Sequence, residues 1–166
     1  MSVSTLTMNP LILLALVIRD LLPHPEELIR FGRLNEEREW FSDDYIVVDR
    51  LAPGQPITRS ERYDGVEEEL TLSTRMRQPV TIDFFGENAY TNAEKLQLLL
   101  KSDKSLDLQE QYAVTVGGVN QITDVKALTG QQYGNRVQVE LVIQYSPSIT
   151  LDLLRIDTAV VETMSD

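Results

Sequence analysis

The stretch from Pro79 to Leu100, PVTIDFFGENAYTNAEKLQLLL, joins a strand to a helix with almost no spare residues between them. Val80, Ile82 and Phe84 alternate with Thr81 and Asp83, the period of a strand with one face turned inward. Gly86 to Asn88 breaks that alternation. Ala89, Ala93, Leu96 and Leu100 then fall on one side of a helix, with Leu99 beside them. Two starts for the helix are open: Asn88 as a cap, or Thr91 with Glu94 as a capping box. Any fold for this chain has to place a strand and a helix end to end here.

The flanking segments add more strands than helices. Tyr45 to Leu51 is strand-like by its β-branched content. Val66 to Thr74 alternates, with Leu70 and Leu72 on one face and Glu67, Glu69, Thr71 and Ser73 on the other. Arg75 to Pro79 reads as a connection, so that 66–74 and 80–85 pair antiparallel. Strands following one another without a helix make a meander and exclude a simple doubly wound sheet. Ala52 to Gly65 carries two prolines, two glycines and several charges, and reads either as a long hairpin tip or as a loop ordered in an assembly. Further on, short strands at Tyr112–Val116 and Ile122–Leu128 are split by Gly117-Gly118. Val137 to Tyr145 alternates at length, and Leu153 to Glu162 offers a last strand. Residues 105–111 suggest a single turn.

Asn9 and Pro10 start a helix by cap and fixed φ. Leu11, Leu14, Ala15, Ile18, Leu21 and Leu22 form its apolar stripe, yet Ile12, Leu13, Leu16 and Val17 occupy the other faces. Such a helix is covered on all sides, either as a central core helix or with a neighbouring subunit as its second cover. Pro23 and Pro25 end it, and Glu26 to Arg33 suggests one or two further turns. The expected fold is α+β: a largely antiparallel sheet of about four to six strands flanked by two principal helices, near 10–22 and 89–101. A flexible segment 1–9 precedes one domain over 10–162, with an extended loop at 52–65.

Chemistry is poorly represented. The chain has no cysteine and one histidine, which removes thiol catalysis, zinc–cysteine sites and multi-histidine metal sites. His24 lies between two prolines, a poor place for a Ser-His-Asp triad. Asp83, Glu87 and Asp124 are the carboxylates most suited to a divalent ion, but no lysine spacing and no D-x-D-x-D-G loop supports them, and a solvated face is the simpler reading. Gly86-x-Asn88 and Gly117-Gly118 are turn signals without a phosphate-binding pattern. No catalytic, metal or cofactor residue is therefore assigned. Arg136 opens the long strand and pairs either with a local carboxylate or across a subunit boundary. Trp40-Phe41, near Tyr45, is a core anchor or a docking surface. The net charge of −11 opposes tight nucleic-acid binding. The apolar run at 11–22 is shorter than the roughly 20 residues of a spanning helix. With no signal-peptide pattern, the chain reads as soluble and cytoplasmic.

The order strand, GxNA, helix, short strands, Tyr-x-x-Arg and long strand resembles the neck or tail-terminator proteins of tailed bacteriophages. The resemblance covers residues 10–160 and rests on Asn35, on VTIDFFGENA with its Ala-rich helix, on Ile122-Thr123-Asp124-Val125, and on Tyr133 with Arg136. The long 52–65 segment departs from the family pattern, as does Phe85-Gly86-Glu87, where the family has an aromatic-Gly-Pro-like turn. The resemblance implies a structural virion protein, not an enzyme and without cofactor. It implies a homohexameric ring that ends tail tube or sheath polymerisation and joins the tail to head-completion (connector) proteins. DNA would pass through the lumen without specific binding, and no membrane is involved. The location implied is the virion neck, with the host cytoplasm during assembly. Leu14, Ile18 and Arg136 are the candidate subunit-interface residues, and Gln55, Arg59, Arg62 and Tyr63 the candidate docking residues. The rival readings are a head-closure or tail-tube protein, a non-viral binding domain, and a small carboxylate-dependent hydrolase.

Overall fold

The computed structural model describes residues 3–5, 9–32, 44–125, 127–129 and 132–152. A short strand β1 (Val3–Thr5) precedes helix α1 (Pro10–Leu21); a 3-10 turn at Glu26–Leu28 leads into β2 (Ile29–Phe31). Then come β3 (Tyr45–Arg50), β4 (Gln55–Asp64), β5 (Glu69–Phe85), α2 (Ala89–Leu99), α3 (Asp103–Gln111) and β6 (Thr115–Asp124). A small hairpin of β7 (Ala127–Thr129) and β8 (Gln132–Gly134) is followed by β9 (Arg136–Tyr145) and β10 (Ser148–Asp152).

The axis of the molecule is β5, a strand of 17 residues. Along its C-terminal half it pairs with β3 on one edge and β9 on the other; along its N-terminal half β4 and β10 take over those two edges. Outside them lie β2 beside β3, β6 beside β9 and β1 beside β10. The architecture is α+β, but the main sheet has eight strands instead of four to six. It is also mixed, because β2 runs parallel to β3. The expected helical turns at 26–33 are thus a 3-10 turn and an edge strand. Residues 3–5, expected to be flexible, pair with β10. The expected strand at 153–162, Asn35 and the pair Trp40-Phe41 lie outside the described residues.

Arg75 to Pro79 is not a connection. The strand runs straight through it because Gln78 and Pro79 keep their partners Ile143 and Val142 on the β9 edge. On the other edge Leu51 donates its N–H to the Pro79 carbonyl at 3.1 Å, so the missing N–H of the proline faces the step where β3 gives way to β4. Proline is tolerated where a ladder is interrupted.

The even-numbered residues of β5 share one face, and there Val80, Ile82 and Phe84 join Val137, Val139, Leu141 and Ile143 of β9 in a core that is at most 2 % exposed. Each such side chain contributes about 1.5–3 kcal/mol on burial. The helices cover this inner face. Asn9 caps α1 by accepting from the Leu11 N–H at 3.0 Å. That helix packs on β3, α2 and α3, which covers its Leu11, Leu14, Ile18 and Leu21 stripe together with Val17, while Ile12 stays exposed and Leu13 and Leu16 are half-buried. On α2, Ala89, Ala93 and Leu96 are fully buried, and the helix starts at Ala89. Asn88 holds Asp44 instead of capping with its side chain: its N–H and Nδ2 donate to the two carboxylate oxygens at 2.9 and 2.7 Å.

Helix α3 replaces the single turn expected at 105–111. Its fully buried residues are polar, Ser105 and Gln109, and only Leu108 adds a half-buried apolar contact with the core, so its apolar period is faint. Gln109 donates to Ser105 Oγ at 2.9 Å and accepts the Val116 N–H at 2.7 Å, tying the helix to the start of β6. The break expected at Gly117-Gly118 is bridged by the single strand β6, bulged between Val116 and Val119, and the strand expected at 122–128 is divided between β6 and β7. Gly117 belongs to that bulge: a Cβ there would come within 2.9 Å of the Val142 carbonyl oxygen.

Candidate assembly surfaces

Beyond Gln78 the sheet leaves the helix layer. The N-terminal half of β5, with β4 and β10 on its edges and β1 outermost, forms an arm roughly 30 Å long. The segment 52–65 was expected as a hairpin tip or a loop; residues 55–64 are instead one edge of this arm, hydrogen-bonded to β5 from Gln55 to Asp64. The tip itself is the turn at 65–68. It is fixed by Asp64, whose Oδ1 accepts the N–H groups of Val66 and Glu67 at 2.9 and 3.4 Å. Those two bonds hold the Asp64 carboxyl below its ordinary pKa.

The two faces of the arm differ. On the inner side, Tyr63, Leu70 and Leu151 share one cross-strand row and Glu61, Leu72 and Ile149 the next. On the outer side the rows are Arg62, Thr71, Thr150 and Ser60, Ser73, Ser148, followed by Thr58 with Arg75 and Gln55 with Arg77. The hydroxyls of Ser60 and Ser73 lie 3.1 Å apart and those of Thr71 and Thr150 3.4 Å, a polar ladder across the strands. Every residue of β4 is exposed. As an edge strand it is protected from indiscriminate pairing by Pro56, by a bulge between Pro56 and Thr58, and by Arg59, Glu61 and Arg62.

Gln55, Arg59, Arg62 and Tyr63 are therefore exposed side chains on a strand, distributed over both faces of the arm. Leu14 and Ile18 are 1 % and 0 % exposed inside the subunit, so they are core residues and not surface available to a neighbour. The side of α1 left open carries Ile12 and Leu16, which with Ile29 and Phe31 line an apolar groove of about 230 Å³. Arg136 is committed within the chain. Its Nη2 lies 3.1 Å from Asp83 Oδ2 and its Nε donates to Oδ1 at 3.4 Å, while its guanidinium stands 5.6 Å over the Phe85 ring. Phe85 in turn stacks on Tyr45 at 4.5 Å.

The three carboxylates do not meet. Asp83 pairs in register with Gln138 and through it with Thr123, whereas Asp124 is opposite Val137 and so on the other face of the sheet. Glu87 is exposed in the turn before α2. Among the described residues no group of His, Cys, Asp or Glu is arranged to hold a metal ion. His24 lines an open polar cleft of about 580 Å³ with Asp44, Asn88 and Lys95.

A further polar network joins the ends of α1 and α3. Asp20 accepts from Arg19 Nε at 2.8 Å and from the Tyr112 hydroxyl at 2.6 Å. Arg19 also reaches Glu26 at 2.9 Å, and Lys104 donates to the Asp20 carbonyl at 2.8 Å. The Arg19 hydrogen bond first, and the Tyr112 hydroxyl second, hold the Asp20 carboxyl below its ordinary pKa. The same carboxylate raises the Tyr112 phenol. This network ties α1 to α3.

Sequence reasoning missed Arg75 and Arg77, because the period-2 alternation of 69–85 was cut at Arg75. It also missed the exposed stripe of α3, which holds Asp103, Leu106, Asp107 and Glu110. Reading the alternation across Pro79 would have found the first pair.

No curated protein matches the chain. A family model described as phage neck terminator protein matches residues 13–166, which takes in most of α1, the whole of β5 and the turn and helix α2 that follow it.

Proposed function

Since this chain belongs to the phage neck terminator family, a family of structural virion proteins, we propose that its copies close into a homohexameric ring at the neck of a tailed phage. The ring ends polymerisation of the tail tube, and of the sheath where one is present, and offers its other side to the head-completion proteins. The observation that carries this reading is the family match over nearly the whole chain. A ring of identical subunits requires two different patches on each, so that front meets back around the circle. The net charge of −11 suits a lumen through which DNA slides without being held.

The test is genetic and visual together. Phage lacking this protein should give tails of uncontrolled length and tail-free heads, and a label on the protein should appear as a ring at the head–tail junction. Tails of normal length joined to heads in its absence, or a label elsewhere on the particle, would refute the proposal.

A further inference from the structure

Two rows of charge on this subunit have no partner among the described residues. Arg75 and Arg77 are exposed neighbours on the outer face of β5, roughly 6.6 Å apart along the strand. Asp103 and Asp107 are exposed one turn apart on α3, roughly 6 Å along its axis, and Glu110 continues the stripe. The two rows therefore have nearly the same pitch and opposite sign. They also lie on opposite sides of the sheet, since α3 belongs to the helix layer on the inner face and the arginines point away from it. Arg75 in addition lines a cleft of about 320 Å³ with Thr115, Gln144 and Ser146, whose polar side chains suit a carboxylate.

We propose that the outer face of the arm docks on helix α3 of a second copy of this chain, with Arg75 and Arg77 paired to Asp103 and Asp107. The inference rests on the ring reading above and names the contact that would close it. A second copy is the occupant because the chain itself supplies the complementary surface at matching spacing, and because at net −11 every copy presents an acidic body to its neighbour's arm. Front and back patches on opposite sides of one sheet give the head-to-tail geometry that a cyclic assembly needs.

The experiment uses the full chain in sedimentation velocity, comparing the parent with Arg75→Glu/Arg77→Glu, with Asp103→Lys/Asp107→Lys, and with an equimolar mixture of the two. Each variant alone should need about tenfold more protein than the parent to assemble. The mixture should regain assembly, since each variant carries the surface that the other lacks; that recovery also shows that both are folded. If either variant assembles as the parent does, or if the mixture stays dissociated, this contact is wrong while the ring stands. A parent that remains monomeric both in solution and in neck complexes taken from particles refutes the ring itself, and the contact with it.

Discussion

Arg136 shows how one residue changes meaning once its neighbours are known. At the sequence level it is a cation at the head of a strand whose partner is either a local carboxylate or a neighbouring subunit. In the fold it neutralises Asp83, which is 7 % exposed, and covers the Phe85 ring. Arg136→Glu would set two carboxylates against each other at a mostly buried position, so a loss of about 2–4 kcal/mol in urea titration is expected. Any assembly defect of that variant would then follow from unfolding. Ala113 is the opposite case, a residue in a place that suits glycine. It ends α3 at φ 53, with Val114 donating to the Gln109 carbonyl and Ala113 to that of Glu110. Ala113→Gly relieves the left-handed strain at some cost in chain entropy, for an expected net gain of roughly 0.5–1 kcal/mol by thermal melting. Asp20 supplies a pH signature. Its folded pKa is depressed, so its contribution is present above the unfolded value of about 3.9 and is lost as pH falls through the folded one. Asp20→Asn should therefore be less stable than the parent near neutrality. The difference should shrink as pH drops below about 4.

Helix α3 holds its place through side-chain hydrogen bonds more than through apolar burial, and its removal from the sheet edge can be tested locally. Gln109→Leu keeps the bulk but deprives the Val116 N–H of its acceptor, so hydrogen exchange at Val116 should accelerate and stability fall by about 1–2 kcal/mol. Unchanged exchange would mean that the bulge of β6 holds that amide alone. The polar inner face also explains why α3 was illegible: periodicity reports helices that bury apolar side chains, and Ser105 and Gln109 are not among them. Helices α1 and α2 and β9 were legible because their buried residues repeat at the period of the element, and β3 because a short β-branched run is buried on both faces. The length of β5 was not, since Pro79 normally ends a strand and only the partner strands reveal that it falls at a gap in one edge. The 52–65 segment was misread for a related reason. β4 has no buried face in the subunit, so its composition resembles that of a loop. Of the candidate assembly residues, Arg59 and Arg62 are exposed on the arm, whereas Leu14 and Ile18, on a helix whose pattern fits a core position as well as a subunit interface, are buried in the subunit.

At the scale of the whole molecule, a net charge of −11 opposes the approach of copies, while the docking contact proposed for the arm is locally attractive. The two respond differently to salt. Repulsion between whole subunits acts over distances that a Debye length of about 8 Å cuts off, whereas ion pairs pressed together at a contact are screened less. The assembled fraction should thus rise from about 0.01 M salt to a maximum and decline towards about 1 M, as sedimentation across that range would register. A steady decline from the lowest salt would mean that net repulsion is not the governing opposition. The strand order of the arm also sets a timetable. β4 and β5 can pair as soon as residue 85 has left the ribosome, but the other edge of β5 waits for β9 and β10, and the partner of β1 among the described residues is β10, Val3 opposite Leu151. At roughly 5–20 residues per second of translation, several seconds separate these events. Throughout that interval the nascent arm is a two-stranded ribbon of marginal stability. Translation of β10 thus acts as a clock, and a ribosome-bound chain is a poor recruit for an assembly whose contacts need the finished arm.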